Sequence, residues 1–437
     1  MLLLCFRRYL VLKNILGFDV TNVHFNSKEI KPGGLFVPLK GGNSDGHKYI
    51  KSAIQNGAVA SLWNEEIPVP QELDSEIKFI KVKDTLQAFQ HLANYHRKEI
   101  NPIIIGITGS NGKTTTKEIV AAALSTLYKV HKNTGNYNNH IGVPLTLLSM
   151  PDNTELCIVE MGMNHKGEIR TLSNIAQPNI AIITNIGESH IGHLGSRANI
   201  AKAKMEIIEG LINKNNIIYD GDESLLSELS GYPVYNKDIN KLRQLDNKIM
   251  FEYLGEKVTL PAFGLHNAKN TAFAIVLSSI LKVKMTDVLD GLSSFQNNDM
   301  RLELKKIGTT SFLVDCYNSS LTSLKSALDT FDNINTTKKK IAILGDIFEL
   351  GTESKDTHKL IGEMTLCNFD FEYWFVGENM KVAYEVHSQQ SKNKYFENTE
   401  LLLEYILLNQ DAFNNTFILL KASRGMRLES VLNAFHN

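Results

Sequence analysis

Cysteine is scarce. The 437-residue chain has four, Cys5, Cys157, Cys316 and Cys367, far apart and with no CxxC pair. That spacing argues against a disulfide framework or a structural zinc site and leaves buried thiols in a reducing cytoplasm. Charge of one sign is lacking too: the formal net charge is -1, so nothing suggests a nucleic-acid footprint or a membrane-surface patch, and small-molecule partners are expected. No apolar run approaches the roughly 18 residues that a membrane span needs. The start, MLLLCFRRYLVL, ends its apolar run at two arginines, whereas a secretory signal places positive charge before a longer apolar stretch. It reads as an amphipathic first helix of a cytoplasmic protein.

What is present is ordinary for a globular chain, 43% hydrophobic and 21% charged. The length predicts roughly two to four domains. Up to residue 100 the pattern is short strands and one helix, ending in the polar helical stretch Asp84 to Lys98. Asn101 and Pro102 break it, and the buried-strand run 103–108 begins. Strands then alternate with helices at 156–160, 180–184 and 217–219, the rhythm of a mostly parallel α/β sheet. A polar cluster, Asn297-Asn298-Asp299, marks a second junction, after which 311–315, 341–345, 371–376 and 417–421 read as strands of a smaller doubly wound unit. On this reading Asp315 ends that unit's first strand, and Lys338-Lys339-Lys340 is a solvated turn. The expected fold is α/β in three domains, 1–100, 101–297 and 298–437.

The segment GITGSNGKTTTKE, 106–118, is an apolar strand running through a glycine-bearing loop into a helix that starts near Lys113. N–H groups at a helix start hold phosphate oxygens, and Gly109 and Gly112 let the backbone come close. Ser110, Asn111 and Thr115 complete the loop; Lys113 is suited to neutralise β/γ-phosphates and the Thr114 hydroxyl to ligate Mg²⁺. Ile107 stands where a strict GxxxxGK[ST] pattern has its first glycine. In LCIVEMG, 156–162, Glu160 sits at the C-terminal end of an apolar strand, where open α/β sheets present ligands, and is a hard oxygen donor suited to Mg²⁺. Glu188, His190 and His193 invite a zinc reading, rejected because the partner groups are phosphates and carboxylates; His193 reads as a plain loop residue.

In ANIAKAKMEIIEGL, 198–211, helical spacing puts Ile200, Lys204, Ile207 and Leu211 on one apolar face. Lys202 falls opposite, with Glu206 and Glu209, as a solvated ion-pair face. Burial makes an amine harder to protonate, and a neutral lysine can capture CO₂ as a carbamate.

GSNGKTTTKE resembles the phosphate loop of the Mur ligases, the ATP-dependent enzymes that build the peptidoglycan stem peptide; folylpolyglutamate synthases carry a related loop. The resemblance extends over nearly the whole chain. It implies a uridine-nucleotide-binding N-terminal domain, a central ATPase domain and a Rossmann-like C-terminal domain. It also implies that a carboxylate is activated as an acyl phosphate and joined to an amine. TGNYNNHIGVPL, 134–145, resembles the segment whose asparagines face nucleotide and substrate, here Asn138 and Asn139. Glu160, His190 and a carbamylated Lys204 match the groups around a second Mg²⁺. GLHNAKN, 264–270, resembles the GxHNxxN motif, with Asn267 and Asn270 toward adenine and His266 the less defined member. Arg301 and Asp315 match residues that reach back to the nucleotide.

Within the family, NSKEIKPGGLFVPLKG, 26–41, with Asp45, Gly46 and His47, resembles the first domain of the member that adds the terminal dipeptide. Asn26-Ser27-Lys28 replaces the usual Asp-Ser-Arg, losing a carboxylate and a guanidinium. DCYNSS, 315–320, resembles that member's D-x-Y-N-A-N-P signature as far as Asn318. LGDIFELG, 344–351, is similar to its LGDMxELG motif, and Lys421 to Arg424 to its KGSR strand end, with Ala422 for glycine. The resemblance thus implies as partners UDP-N-acetylmuramoyl-tripeptide and D-alanyl-D-alanine, and as cofactors ATP, two Mg²⁺ ions and a CO₂-derived carbamate. A monomer is expected. The alternatives are a related ligase with another acceptor and a nucleotide-binding scaffold; the latter needs Lys113, Glu160 or His190 to be missing, and all three are present.

Overall fold

Val23–His24 (β1), Gly34–Phe36 (β2), Ala58–Asn64 (β3) and Lys78–Val82 (β4) pair in parallel in that order. Helices Ile50–Gln55 (α1) and Thr85–Ile100 (α2) accompany them. Asp84 caps α2 by accepting from the Gln87 N–H at 2.9 Å, and Asn101, at φ 51°, ends it in the left-handed conformation just before Pro102. The computed structural model describes residues 16–435 apart from 43, 74, 298, 299, 369, 370 and 388. The expected first helix, and Asn298 and Asp299 of the polar junction, therefore lie outside the described residues.

Strands and helices then alternate: Ile103–Thr108 (β5), Lys113–Leu124 (α3), Val130–Lys132 (β6), Gly142–Leu148 (α4), Leu156–Glu160 (β7), Glu168–Ala176 (α5) and Ile180–Ile183 (β8). Ile191–Leu194 (α6), Arg197–Met205 (α7), Ile217–Asp220 (β9) and Tyr232–Val234 (β10) follow. Next come Asn240–Leu245 (β11), Lys248–Tyr253 (β12), Glu256–Leu260 (β13), Asn267–Ile280 (α8) and Met285–Ser293 (α9). The described residues pack as two compact units, one within 1–108, 127–183 and 203–217, the other within 109–126, 184–202 and 218–437.

In the first unit β5 lies between β7 and β8, with β6 beyond β7, all parallel. Every residue of β7 and β8 is buried, which explains their continuous apolar runs: a parallel strand covered on both faces has no polar side. The register sets Glu160 opposite Ile107, so the carboxylate emerges at the carboxyl edge of the sheet.

In the second unit β9 and β10 pair in parallel, and β11, β12 and β13 form an antiparallel sheet that the expected parallel rhythm did not include. After residue 300 come Glu303–Ile307 (β14), Thr310–Asp315 (β15), Leu321–Asn333 (α10), Lys339–Gly345 (β16), Ser354–Asn368 (α11) and Glu372–Val376 (β17). Met380–Val386 (α12), Lys394–Phe396 (β18), Thr399–Leu408 (α13) and Thr416–Lys421 (β19) follow. The sheet order is β14-β15-β19-β16-β17-β18, parallel except for β14. Asp315 thus ends the second strand of this sheet, not the first, and Lys339 and Lys340 are strand residues, not a turn. Alternate side chains feed two cores: Leu313, Ala342, Leu344 and Leu419 go to one face, Phe312, Ile341, Ile343 and Ile418 to the other. Among the described residues no helix is long and apolar enough to cross a membrane.

Candidate functional site

The phosphate loop owes its course to backbone that only glycine tolerates. At Gly109, φ +149°, an added Cβ would stand 1.9 Å from Thr184 Oγ1; at Gly112, φ +79°, it would press on Asn270 Oδ1 at 3.0 Å. Neighbouring loops fasten the segment. Ser110 N–H donates to the Asn185 carbonyl at 3.1 Å, Asn111 N–H to Asn185 Oδ1 at 2.9 Å, and Ser110 Oγ accepts from Gly187 N–H at 2.8 Å. Thr184 Oγ1 and Asn185 Nδ2 both donate to the Asn111 carbonyl, at 2.6 and 3.1 Å. Helix α3 starts at Lys113, whose Nζ donates to the carbonyls of Gly109 at 2.7 Å and Ser110 at 3.1 Å, so its charge lies across the loop. At a helix start the first-turn N–H groups have no carbonyl of their own helix to bond, the arrangement on which anions settle. Thr114 is buried and Thr115 half-buried on this turn.

Residues far along the chain converge on this loop. Arg301 Nη2 donates to Thr114 Oγ1 at 3.0 Å while its guanidinium stacks over the Tyr317 ring at 4.1 Å. Ser320 Oγ reaches Asn111 Oδ1 at 3.4 Å and also caps α10, where Ser323 returns the bond. Ser319-Ser320, which departs from the signature, therefore supplies a helix cap. Asn267 and Asn270 share one face of α8 and bond each other, Nδ2 of Asn270 to Oδ1 of Asn267 at 2.8 Å. Beside them burial holds the His266 imidazole below its ordinary pKa. Asp315 pairs with the buried Lys421 at 3.1 Å, and Lys421 Nζ also donates to the Asn318 carbonyl at 2.6 Å. Arg424 lies exposed against Glu429 at 2.7 Å. His190, at the start of α6, pairs through Nδ1 with Glu349 Oε2 at 2.8 Å.

In the first unit Glu160 is 3% exposed and accepts at Oε1 from Asn138 Nδ2 at 2.9 Å. Asn139 instead serves its own turn, Oδ1 accepting from Ile141 and Gly142 N–H. Lys204 is 2% exposed whereas Lys202 is exposed, the split that helical spacing predicts. Glu206 corrects that prediction. It is 5% exposed, and its carboxylate accepts from the N–H groups of Gly167 and Arg170, capping α5, whose own N-cap is a glycine without a side chain.

Near the N-terminus Ser27 is buried, its Oγ on Ser52 Oγ at 3.2 Å, while Asn26 Oδ1 accepts from Lys28 N–H. Gly46 follows Asp45 and starts the turn that carries His47. The Asn64 N–H donates to His47 Nε2 at 3.3 Å, which puts the ring proton on Nδ1, shared with Asp45 Oδ1 at 2.6 Å. Burial alone would raise the Asp45 pKa, but the bonds from His47 outweigh it and hold the carboxyl below its ordinary value.

Among the described residues no three His, Cys, Asp or Glu side chains gather into a metal cluster. Magnesium needs none, since it keeps waters and takes phosphate oxygens with one or two protein oxygens. The Thr114 hydroxyl and the Glu160 carboxylate are such hard donors, so the residues present fit magnesium. The sequence reading did not single out Glu349, Asn185, Tyr317 or Asn133; the first three lay inside segments that it did use, and their partners were not visible there.

Three family models match: the Mur ligase family catalytic domain at 19–97, the Mur ligase middle domain at 107–278 and the Mur ligase glutamate ligase domain at 300–424. The chain is 38% identical to the UDP-N-acetylmuramoyl-tripeptide–D-alanyl-D-alanine ligase of Bacillus subtilis, covering 95% of this chain and 93% of that one. It is 32% identical to the ligase of the same name from Rickettsia prowazekii, over 96% and 97%. Among solved structures, MurF from Acinetobacter baumannii superposes with a TM-score of 0.85 at 29% identity, over 95% of this chain and 93% of that one. MurF ligase from Thermotoga maritima in complex with ADP gives 0.82 at 25% identity, over 95% and 97%.

Proposed function

The chain belongs to the Mur ligase family, and from that premise we propose that it uses ATP to join D-alanyl-D-alanine to a UDP-N-acetylmuramoyl-tripeptide, forming ADP, phosphate and a peptidoglycan precursor. The observation that carries this reading is likeness over 95% of the chain to a ligase named for that reaction. The division of labour is 1–100 for the uridine nucleotide, 101–297 for ATP and 298–437 for the acceptor, supported by family segments at 19–97, 107–278 and 300–424. The enzyme works as a cytoplasmic monomer without a nucleic-acid partner.

A carboxylate is a poor acyl donor because oxide would have to leave. Its oxygen attacks the γ-phosphorus of ATP, the bond from that phosphorus to the bridging oxygen breaks, and ADP departs, leaving an acyl phosphate. The dipeptide amine then attacks the acyl carbon; the tetrahedral intermediate expels phosphate and the nitrogen loses a proton. The N-terminal turn of α3 and Lys113 offset charge on the phosphates during the first step. Gly109, Ser110, Asn111, Gly112, Thr114 and Thr115 shape that cradle. Asn138 and Asn139 face nucleotide and substrate, Asn267 and Asn270 the adenine, and Arg301 and Asp315 the nucleotide from the C-terminal domain. Thr114 would hold one magnesium ion, and Glu160, His190 and Lys204 as a carbamate a second, and these would supply positive charge at the phosphates. Ser27, Asp45, Gly46 and His47 serve the uridine-nucleotide end, and Asn318, Lys421 and Arg424 the acceptor.

The test is incubation of the purified protein with ATP, nucleotide tripeptides bearing different third residues, and either D-alanyl-D-alanine or single amino acids, read by mass spectrometry. A product heavier by the dipeptide residue supports the reading. Extension only by a single amino acid or by glutamate would move the chain to another branch of the family.

A further inference from the structure

The loop that follows β16 leaves the sheet at its carboxyl edge, and its backbone is bonded at three successive residues. The Asp346 carbonyl accepts from the Ser423 N–H at 3.1 Å, and the Phe348 N–H donates to Ser423 Oγ at 2.9 Å. Between these two links the Ile347 N–H donates to Nε2 of His358 at 3.2 Å. Ser423 lies just past the end of β19, between Lys421 and Arg424, so the loop is tied to the strand end to which the acceptor is assigned. Strands β16 and β19 are neighbours whose following segments pack on opposite faces, Ile361 of α11 in one core, Leu428 and Val431 in the other. Open α/β sheets place ligands in the crevice at such a switch point. Ile347 and Leu350 turn into the core, while Phe348 stays exposed with its ring over Gly425, where a Cβ would stand 2.7 Å from Phe348 Cε2.

His358, in α11, has no exposed surface. Its Nδ1 lies 2.7 Å from the Ser354 carbonyl, which can only accept, and its Nε2 faces a backbone N–H that can only donate. These two groups admit one form of the ring, neutral with the proton on Nδ1. Burial favours the same form by holding the imidazole below its ordinary pKa.

We propose that His358 is a positioning residue for acceptor engagement: by accepting from Ile347 it holds the loop after β16 in the course that fixes Ser423, and with it the strand end that carries Lys421 and Arg424. The inference rests on the ligase reading and deepens it. His358 itself touches no substrate and acts on the crevice through Ser423.

The full chain is assayed for ligation with ATP and nucleotide tripeptide saturating and D-alanyl-D-alanine varied, and its ADP binding is measured by calorimetry. His358→Leu, which packs but cannot accept, is expected to raise KM for the dipeptide about 10-fold or more and to lower kcat less. Its ADP affinity should stay within about twofold of wild type. His358→Asn, whose shorter amide reaches Ser354 but not Ile347, should show the same split and carries the test if the leucine variant does not fold. His358→Gln, whose amide oxygen can accept from Ile347, should restore most of the KM. Ser423→Ala cuts the link from Phe348; because both residues act through one loop, the double variant should raise KM by less than the product of the single effects.

His387 measures what lost stability does by itself. It is buried in the same sheet domain but at the opposite edge, its Nδ1 accepting from Asn393 Nδ2 at 2.8 Å while Asn393 Oδ1 accepts from the Tyr373 N–H near the start of β17. His387→Gln should lower the thermal midpoint and leave KM for the dipeptide unchanged. An equal rise in KM there, or a KM within about twofold of wild type in the leucine and asparagine variants of His358, overturns the proposal. A wild-type chain that ligates no acceptor refutes the ligase reading itself and takes the inference with it.

Discussion

The side-chain amide of Asn133 grips both backbone groups of Glu160: Oδ1 accepts from its N–H at 2.9 Å and Nδ2 donates to its carbonyl at 3.0 Å. The amide thus stands in for a neighbouring strand just where β7 ends, and Nδ2 reaches the Tyr137 carbonyl as well, at 2.9 Å. Asn133→Ala leaves buried backbone groups unpaired and should destabilise the protein by about 2–3 kcal/mol. Because it also releases the strand end that aims the carboxylate, kcat should fall more than KM for ATP. Urea unfolding together with ATP-dependent phosphate release checks both; a variant as stable and as fast as wild type would remove Asn133 from the account.

Gly109→Ala should abolish nucleotide binding without unfolding the chain. A methyl group there meets Thr184 Oγ1 at 1.9 Å and forces a backbone that alanine resists, so the loop must leave the Thr184–Asn111 bond that shapes it. Calorimetry should find no ADP binding in the variant, with its thermal midpoint lowered only modestly. Binding within a few-fold of wild type would contradict the assignment of this loop to phosphate.

Acid should weaken the fold through His96. Burial drives its pKa down to about 4, against which a bond from Nδ1 to the Leu147 carbonyl at 2.9 Å works only in part. Its Nε2 is buried without a hydrogen-bond partner, so a proton placed there has nothing to bond. Below about pH 6.5 the unfolded chain takes up a proton that the folded protein refuses, and stability falls until the folded group also titrates near 4. Between pH 7.5 and pH 5 the histidine should account for about 2 kcal/mol of lost stability. His96→Gln, which can still donate to Leu147, should flatten that part of the urea-stability profile. An unchanged slope would show that His96 does not carry it.

Legibility in the sequence followed burial. Strands covered on both faces, such as β5 and β7, are continuous apolar runs and stood out as such, as did the glycine-bearing loop between β5 and α3. Edge elements did not. The β14 sequence ELKKI alternates exposed and half-buried residues, and β11, NKLRQL, is almost wholly exposed, so neither has a buried face to set a period. Side chains whose task is defined by a distant partner were the other loss. Glu206 looks solvated from its own helix because the helix it caps is supplied by another segment. Asn133 reads as a loop asparagine for the same reason.

The last prediction concerns Lys204. Its burial at 2% and the exposure of Lys202 leave two lysines of one helix in opposite environments, although their local sequences are nearly the same. Ile200, Ile207 and Leu211 are buried on the same side, so the aliphatic stem packs and the amine is kept from bulk water. The neutral form of an amine is the one that adds to CO₂; the nitrogen attacks the carbon, loses its proton, and the side chain ends in two oxygens. Lys204→Ala should therefore lower kcat by at least about 100-fold, with acetate or another short carboxylate restoring part of it by placing oxygens in the vacated space. Lys202→Ala should remain active. Intact-mass and ¹³C spectra of wild type in ¹³C-bicarbonate should show one labelled carbamate that Lys204→Ala lacks. Absence of that signal in wild type, or a fully active Lys204→Ala enzyme, would reduce Lys204 to a packed lysine whose head reaches water.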